Sequence, residues 1–341
     1  KLPGWILKLI ASYLSKRKLI VRYKDCSSSE RTLNCGAPAG TVLGVITFLI
    51  QMDGIKAFPI IQSPEVPLTQ SGNIICKYID DVSAAAVIDL KCLKETQVMP
   101  KPVVYHNRTG HYLSNENNPI IEQIKHITDF ATINQMKFNT RKSHMMLFSR
   151  SISKDFQPEI YVDGSLLDVY DEAKILGTYL TSDLKWKRNT LNIESKCMKK
   201  IWMLRRIREL GGSQDDLLMV YKRQIRCLTE LACPVWNSSL TLQDINKLES
   251  IQKVVCHVIL GQKYKSFENA LQKLGIPTLK ERRKAICTKF AKRTSKNKKF
   301  SPWFPRTKRG NSRHVQPFAR TAVYQNSAIP SFINILNNPA S

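Results

Sequence analysis

Apolar and polar residues follow two different periods along the first half of the chain. Helical spacing predicts three helices, and alternation with a period of two predicts five strands. The predicted helices cover residues 5–14, 41–57 and 120–136, and the predicted strands cover 19–23, 74–79, 82–90, 145–148 and 159–162. Asp163 and Gly164 follow the last strand and are typical of a hairpin turn.

From Trp186 onward the pattern is helical almost throughout. Helices are predicted over 193–210, 215–231, 242–260, 266–274 and 280–292, joined by short links that contain Gly or Pro. Gly211 and Gly212 end the first of these helices, and Ser213 is a suitable N-cap for the second. We therefore predict an α+β fold in three parts: a mixed part over 1–184, a helical part over 185–295, and a basic, largely irregular tail over 296–341.

The net charge of +26 changes this picture because it is unevenly placed. Residues 185–341 contain 32 Lys and Arg against 9 Asp and Glu, and therefore account for +23 of the total. Such an excess indicates an anionic partner, with nucleic acid first. Arg205, Arg206 and Arg208, close to Trp202 on one predicted helix, are the candidate nucleic-acid-binding residues. The alternative is that Trp202 lies in the core and the arginines are merely solvated.

Targeting and cofactor signals are absent from the sequence. No signal peptide is recognisable, and the longest apolar stretch, 41–52, is too short to span a bilayer. The nine cysteines include no C-x-x-C pair, and the histidines do not stand at zinc-ligand spacing. We expect an intracellular protein, nuclear or cytoplasmic, that is not secreted. We also expect no membrane partner and no zinc, haem or nucleotide cofactor.

Asp80 and Asp81 are the strongest candidates for chemistry. They lie at the predicted turn between two strands, in the run Ile-Ile-Cys-Lys-Tyr-Ile-Asp-Asp-Val. Adjacent carboxylates repel one another, so the pair suits a site where a divalent cation offsets the charge. Two-metal phosphoryl transfer needs carboxylates of this kind. The alternative is a plain surface turn, because Asp favours turns.

Other motifs flank this pair in a characteristic order. They are Gly36-x-Pro38-x-Gly40-Thr-Val-Leu-Gly44, Asn139 with Lys142, Glu172–Leu180 followed by Trp186, Trp202-Met-Leu-Arg-Arg-Ile, Pro234-Val-Trp236, and Leu274-Gly-Ile-Pro-Thr-Leu-Lys-Glu-Arg-Arg283. In this order the chain resembles the reverse transcriptases of non-LTR retrotransposons, particularly jockey-like elements. The resemblance covers nearly the whole chain. It implies an incomplete right-hand polymerase palm, followed by an all-helical thumb and a basic C-terminal extension.

The resemblance also implies roles for the matched positions. Asp80 and Asp81 would hold Mg²⁺ or Mn²⁺, and Lys142 would face the triphosphate as a further catalytic residue. Gly36, Pro38, Gly40 and Tyr78 would form the nucleotide and template site, and Leu176 and Gly177 would belong to the primer grip. The implied partners are an RNA template, a DNA primer, deoxynucleoside triphosphates and the upstream part of the same open reading frame.

Two departures from the family pattern limit these implications. Ala39 stands where the family usually has Gln between Pro38 and Gly40, so an amide that contacts the base is replaced. The family also has a first metal carboxylate on an upstream strand, whereas residues 1–24 contain no Asp or Glu. Because the chain begins with Lys1, we expect it to start within a longer reading frame. We therefore expect this fragment to be inactive alone and to polymerise DNA only within the intact parent.

Two other functions compete with this interpretation. The basic half could be a non-catalytic nucleic-acid-binding module. Residues 185–250 also resemble a segment named after AlkB-homologue-8 proteins, which would suggest a dioxygenase or methyltransferase. A ferrous dioxygenase needs a His-x-Asp/Glu pair, and no histidine of this chain begins one. A Gly-rich cofactor loop after a strand is also missing, so this third interpretation lacks its site.

Overall fold

The structure is a computed structural model that describes residues 3–33, 41–55, 74–78, 81–86, 119–148, 160–307 and 313–338. The chain divides into two compact units. The first unit comprises 1–144 and 153–168, and the second comprises 145–152 and 169–341. The boundary at 168/169 lies upstream of residue 185, where the sequence pattern becomes helical.

The first unit combines helices with two-stranded hairpins. Its helices are α1 (Gly4–Leu14), α2 (Val42–Met52) and α3 (Pro119–Ile133), and its strands are β1 (Arg17–Leu19), β2 (Arg22–Tyr23), β3 (Cys26–Ser27), β4 (Arg31–Leu33), β5 (Ile74–Tyr78), β6 (Asp81–Ala85), β7 (Tyr161–Val162) and β8 (Ser165–Leu166). The strands pair antiparallel as β1 with β4, β2 with β3, β5 with β6, and β7 with β8. Asp163 and Gly164 join β7 to β8 with positive φ, which confirms the predicted hairpin turn.

Several predicted elements of this unit are shorter than expected. The strand predicted over 19–23 is split between β1 and β2, and the strand predicted over 82–90 ends at Ala85. The helix predicted to reach residue 57 ends at Met52. Phe130 of α3 leaves no room for a side chain at Gly54, which lies in the turn after α2. In the second unit, the strand predicted over 145–148 is reduced to a single bridge between Met145 and Val169.

The core of the first unit is small. Met52 and Ile55 at the end of α2 meet Ile127 of α3, and partly buried side chains of the β5–β6 hairpin pack against them. Most other large apolar side chains of α1 and α2 are exposed, Trp5 and Val42 among them. Within the described ranges of this unit, few apolar side chains are therefore buried.

The second unit begins with one hairpin and continues as helices. The hairpin pairs β9 (Glu172–Ile175) with β10 (Thr178–Thr181). The helices are α4 (Lys187–Glu209), α5 (Gln214–Val220), α6 (Cys227–Glu230), α7 (Cys233–Trp236), α8 (Leu242–Leu260), α9 (Phe267–Leu274), α10 (Leu279–Lys296), α11 (Ala322–Gln325) and α12 (Ala328–Asn337). Residues Tyr221–Arg226 form a π-helical turn between α5 and α6.

Local capping signals fix the helix ends of this unit. Reciprocal capping boxes begin α5, α8 and α10, with Ser213, Thr241 and Thr278 as the N-caps. The prediction that Ser213 caps a helix is thus confirmed. Gly275 adopts the left-handed conformation after α9, as expected for a C-terminal glycine.

A single large core stabilises the second unit. Side chains of α4 and α8 form its centre, and Trp236 of α7 is fully buried there. Phe332 and Ile333 of α12 belong to the same core, so the tail predicted to be largely irregular contains a helix that packs on the core. The structure thus confirms an α+β class, with strands concentrated before residue 182 and helices after it. Among the described residues the strands form five separate two-stranded sheets.

Candidate functional site

The β5–β6 hairpin contains the acidic pair singled out in the sequence. Tyr78 is the last residue of β5 and is directly opposite Asp81, the first residue of β6. The two residues between them, one of which is Asp80, lie outside the described part of the chain. Asp81 is exposed. The register therefore places the motif at a tight antiparallel turn, as the sequence predicted.

The two faces of this hairpin differ in burial. Ile75, Val82 and Ala84 lie on one face and pack against the small core. Side chains alternate along a strand, so Asp81 lies on the opposite face together with the exposed Cys76 and Ser83. The core thus holds one face of the hairpin and leaves the face that bears the carboxylate open.

Lys77 attaches the hairpin to the end of α2. Its Nζ donates hydrogen bonds to the backbone carbonyls of Met52 at 2.8 Å and Ile55 at 2.9 Å. The Nζ atom also lies 3.7 Å from Oδ1 of Asp53. The last carbonyls of a helix lack partners within the helix, and a cation is favourable at its negative end. Lys77 is a positioning residue that the sequence analysis overlooked, although its place between two apolar residues was a signal.

The other predicted residues of the polymerase site are not brought together among the described residues. Gly36, Pro38 and Gly40 lie outside them, and of Tyr78 only the backbone is described. Lys142 is exposed at the end of a 3₁₀ turn, where its N–H donates to the carbonyl of Asn139 at 2.9 Å. Their roles in nucleotide binding stay predictions.

The described residues do not complete a metal site. Asp81 is one carboxylate, and two-metal chemistry needs several converging oxygens. Over the described ranges no group of three His, Cys, Asp or Glu side chains could hold an ion. We derive no catalytic step through a metal from this geometry.

The β9–β10 hairpin contains the predicted primer-grip residues. Leu176 and Gly177 form its two-residue turn, both with positive φ, as a type I′ turn requires. Leu176 is exposed at the tip. The sequence Leu-Gly thus shapes a tight, protruding turn.

The start of α4 holds this hairpin in place. Arg188 pairs with Glu172 at 3.0 Å and lies over the ring of Tyr179, 4.6 Å from its centroid. Oδ1 of Asn189, whose side chain is buried, accepts a hydrogen bond from the backbone N–H of Tyr179 at 3.2 Å. The hairpin and the first turn of α4 therefore form one rigid element.

The three candidate arginines of α4 have different surroundings. Arg206 pairs with Glu209 at 2.6 Å. Arg208 donates a hydrogen bond to the carbonyl of Val258 at 2.9 Å and lies against Gly261, so it caps the end of α8. Arg205 is exposed and has no ion pair within the described ranges. Arg206 is thus the one whose charge is offset by a carboxylate, while Arg205 and Arg208 keep theirs and only Arg208 is tied to the backbone.

Arg205 and Arg208 line a groove between α4 and α8. The groove has a volume of about 780 Å³, and its other charged or aromatic lining residues are Glu209, Lys253, His257 and Tyr264. Trp202 is 65% exposed and lies one helical turn before Arg205 on α4. The alternative that Trp202 belongs to the core is therefore wrong. The sequence analysis missed Lys253 and His257, because their spacing on α8 becomes informative only once α8 packs beside α4.

The groove has the chemistry of a nucleic-acid-binding surface. Lysine and arginine neutralise phosphates, and exposed aromatic rings stack on bases. Three cationic side chains face the groove against the single carboxylate of Glu209. A polyanion therefore fits it better than an acidic protein side chain or an apolar ligand would.

The downstream signature 274–283 has a structural role here. Arg282 makes a bidentate contact with Glu230, at 2.9 and 3.1 Å. Arg283 is fully buried; it donates to Oδ1 of Asn237 at 2.9 Å and lies 3.7 Å from Glu249. Burial lowers the pKa of the Arg283 guanidinium, and the carboxylate of Glu249 opposes this shift. The signature thus ties the start of α10 to α6, α8 and the end of α7.

Two curated proteins that are similar to this chain are RNA-directed DNA polymerases of mobile elements. The chain is 22% identical over 264 residues to a probable RNA-directed DNA polymerase from transposon X-element of Drosophila melanogaster, covering 76% of this chain and 25% of the relative. It is 22% identical over 293 residues to the RNA-directed DNA polymerase from mobile element jockey of Drosophila funebris, covering 84% of this chain and 29% of the relative.

The comparisons confirm the resemblance to jockey-like non-LTR reverse transcriptases. The chain spans between a quarter and a third of the length of these curated relatives. No protein-family model matches the chain, and no solved structure matches it. Neither relative is a dioxygenase or a methyltransferase, and no described helix is long and apolar enough to cross a membrane.

Proposed function

We propose that this chain is a part of an RNA-directed DNA polymerase that extends a DNA primer on an RNA template. The observation that carries the proposal is the Tyr-Ile-Asp-Asp motif at the turn of an antiparallel hairpin, in a chain similar to two such polymerases. In the parent, Asp80 and Asp81 hold Mg²⁺ or Mn²⁺, together with a carboxylate from the upstream part of the reading frame. The bound ions stabilise the charge that develops at the phosphoryl group.

The palm and thumb assignments belong to this proposal. The β5–β6 hairpin is part of the palm, the β9–β10 turn is the primer grip, and α4 with α8 contributes to the thumb. Lys142 faces the triphosphate of the incoming nucleotide, with Gly36, Pro38, Gly40 and Tyr78 beside template and nucleotide. The protein acts inside the cell, in the nucleus or cytoplasm, where its template RNA is found.

Primer extension tests the proposal. The chain joined to its upstream reading frame should extend a DNA primer on RNA with Mg²⁺ or Mn²⁺, and the chain alone should not. Asp80→Asn and Asp81→Asn should each lower the rate at least about a hundredfold, because losing about 3 kcal/mol of charge stabilisation has that effect. Asp163→Asn is the matched control, since Asp163 also lies in a two-residue hairpin turn. Equal rates for all three variants would refute the role of the acidic pair.

A second candidate function is nucleic-acid binding without catalysis, which the groove between α4 and α8 favours. The double variant Arg205→Gln, Lys253→Gln should weaken binding and lower the dependence of affinity on salt, since each phosphate contact releases counterions. Arg206→Gln is a control that removes a charge already paired with Glu209. Binding that does not weaken as salt rises would exclude this electrostatic mode.

A further inference from the structure

Helix α10 separates its many cations onto two faces. Residues 279–299 contain ten Lys and Arg and a single acidic residue, Glu281. Arg283 is buried beside Glu249, and the half-buried Arg282 pairs with Glu230. Two of the ten cations therefore form ion pairs within the fold. The exposure of the remaining cations shows which of them face solvent.

The α10 outer face comprises Lys284, Lys289, Lys292, Arg293 and Lys296. All five are exposed. Within the described ranges none of them has a carboxylate within 4.0 Å, although nine other ion pairs occur in this structure. At 1.5 Å per residue, the segment from Lys284 to Lys296 extends for about 18 Å. It therefore presents an unneutralised positive track along a rigid helix.

An aromatic pair lies just beyond the end of this track. The rings of Phe300 and Trp303 are 5.4 Å apart, and Trp303 is partly exposed. The ammonium group of Lys299 lies over the ring of Phe300, 5.9 Å from its centroid. Cations that continue directly into exposed aromatic rings are the combination that binds single-stranded nucleic acid, because the cations contact phosphates and the rings stack on bases.

We propose that the α10 outer face binds the phosphate backbone of single-stranded nucleic acid and that Trp303 stacks on a base at its end. The inference rests on the proposed binding of nucleic acid and adds a second surface to the groove between α4 and α8. A track of about 18 Å is long enough to contact several successive phosphates of one strand. Stacking on Trp303 needs an unpaired base, so a single strand binds this surface better than a duplex.

An anionic membrane is a poorer occupant of the same face. A helix that lies in a membrane surface inserts its apolar side between the lipids. The apolar side of α10 is already buried, with Cys287 and Ala291 in the core of the second unit. Ala285 and Thr288 on the outer side are small, and Phe290, whose ring lies beside Arg293, packs against the core. The face therefore suits a polyanion that needs no apolar insertion.

The test uses the full chain and labelled strands of about 12 nucleotides, as RNA, as DNA and as the corresponding duplexes. The triple variant Lys284→Gln, Lys292→Gln, Lys296→Gln should raise the Kd for single strands on the order of tenfold at 0.1 M salt. It should also lower the slope of log affinity against log salt by about 2. The matched control is Lys199→Gln, Lys222→Gln, Lys265→Gln, which removes three exposed lysines of the same unit outside α10.

A second variant tests the aromatic contact separately. Trp303→Ala should weaken binding of single strands by about five- to a hundredfold, with little change in the salt slope. Trp303→Phe should retain most of the affinity, because a ring is still present. Thermal melts of each variant report whether the fold is intact.

The outcomes separate this inference from the proposed function. Selective loss of single-strand binding in the α10 triple variant supports the inference. If the wild-type chain binds single strands, and the α10 triple variant and the control triple variant bind them equally well, the inference fails. The groove between α4 and α8 then remains the proposed binding surface. The inference is also overturned if the chain binds duplexes more tightly than single strands. The same holds if it binds vesicles of anionic lipid more tightly than any strand. If the wild-type chain binds no nucleic acid at all, the inference and the proposed binding function fail together.

Discussion

Two glycines of the second unit have left-handed φ for different reasons. At Gly261 an added Cβ would collide with the guanidinium of Arg208, which is hydrogen-bonded to the end of α8. Gly275 has the left-handed helical conformation, and nothing lies within 4 Å of an added Cβ there. Gly261 is thus constrained by packing and by conformation, and Gly275 by conformation alone.

Replacing Gly261 and Gly275 by alanine should therefore lower stability by different amounts. Gly275→Ala should lower the free energy of unfolding by about 1 kcal/mol, the usual cost of a left-handed residue with a side chain. Gly261→Ala should cost about 2–4 kcal/mol, because Arg208 must also leave the carbonyl of Val258. Urea titrations of the two variants check the prediction. Equal costs would mean that Arg208 moves aside without loss.

Asp216 gives a prediction about pH. Hydrogen bonds from the Ser213 side chain and backbone lower the pKa of the Asp216 carboxyl below its ordinary value of 3.8. A lowered pKa in the folded state stabilises the protein above about pH 4, and this stabilisation is lost as pH falls through the lowered pKa. Asp216→Ala should therefore lower Tm at pH 6 and lower it much less near pH 2.5.

The control for this prediction is Asp215→Ala. Asp215 shares the first turn of α5 but is not part of the capping box. Both aspartates favour the helix N-terminus electrostatically. A Tm difference between the two variants that persists at low pH would contradict the assignment to the capping hydrogen bonds.

At the scale of elements, the β5–β6 hairpin depends on Lys77. Lys77→Met keeps most of the side-chain length but leaves the carbonyls of Met52 and Ile55 without this donor. We expect a loss of about 1–3 kcal/mol in stability, because two hydrogen bonds from a charged donor are lost, while the Met52 carbonyl keeps the N–H of Ile55. Faster amide hydrogen exchange in β5 and β6 would show that the hairpin has loosened. Cys76→Ser, on the open face of the same strand, should leave exchange unchanged.

The helical elements also show how local signals and packing divide their roles. Ser213, Thr241 and Thr278 mark helix starts that can be read from a short stretch of sequence, because a capping box involves residues only three apart. The π-helical turn at 221–226 has no comparable signal. It replaces part of a helix predicted as continuous over 215–231, since the burial of Tyr221 and Ile225 decides the local winding.

At the scale of the whole molecule, the two units differ greatly in their cores. Among the described residues, the first unit buries a small cluster around Met52 and a few further apolar side chains, whereas the second buries a large cluster around Trp236. Burial of apolar area is the main source of stability, so the first unit should unfold at a lower urea concentration.

Tryptophan fluorescence can distinguish the unfolding of the two units. Trp5 is the only tryptophan of the first unit, and the other four belong to the second. Circular dichroism of the full chain should show two transitions, and the emission of a Trp5→Phe variant should report only the later one. A single transition shared by both signals would show that the units unfold together.

The α+β class, the turn at Asp163-Gly164, the cap at Ser213 and the resemblance to jockey-like polymerases are all readable from the sequence. These are local properties, since turn chemistry, caps and motifs depend on neighbours along the chain. Which cations remain available depends on how the helices pack. Arg208 caps α8 and Arg283 is buried beside Glu249, while Lys253 and the α10 outer face stay exposed. That distinction depends on which helices pack together, and charge along the sequence does not reveal the packing.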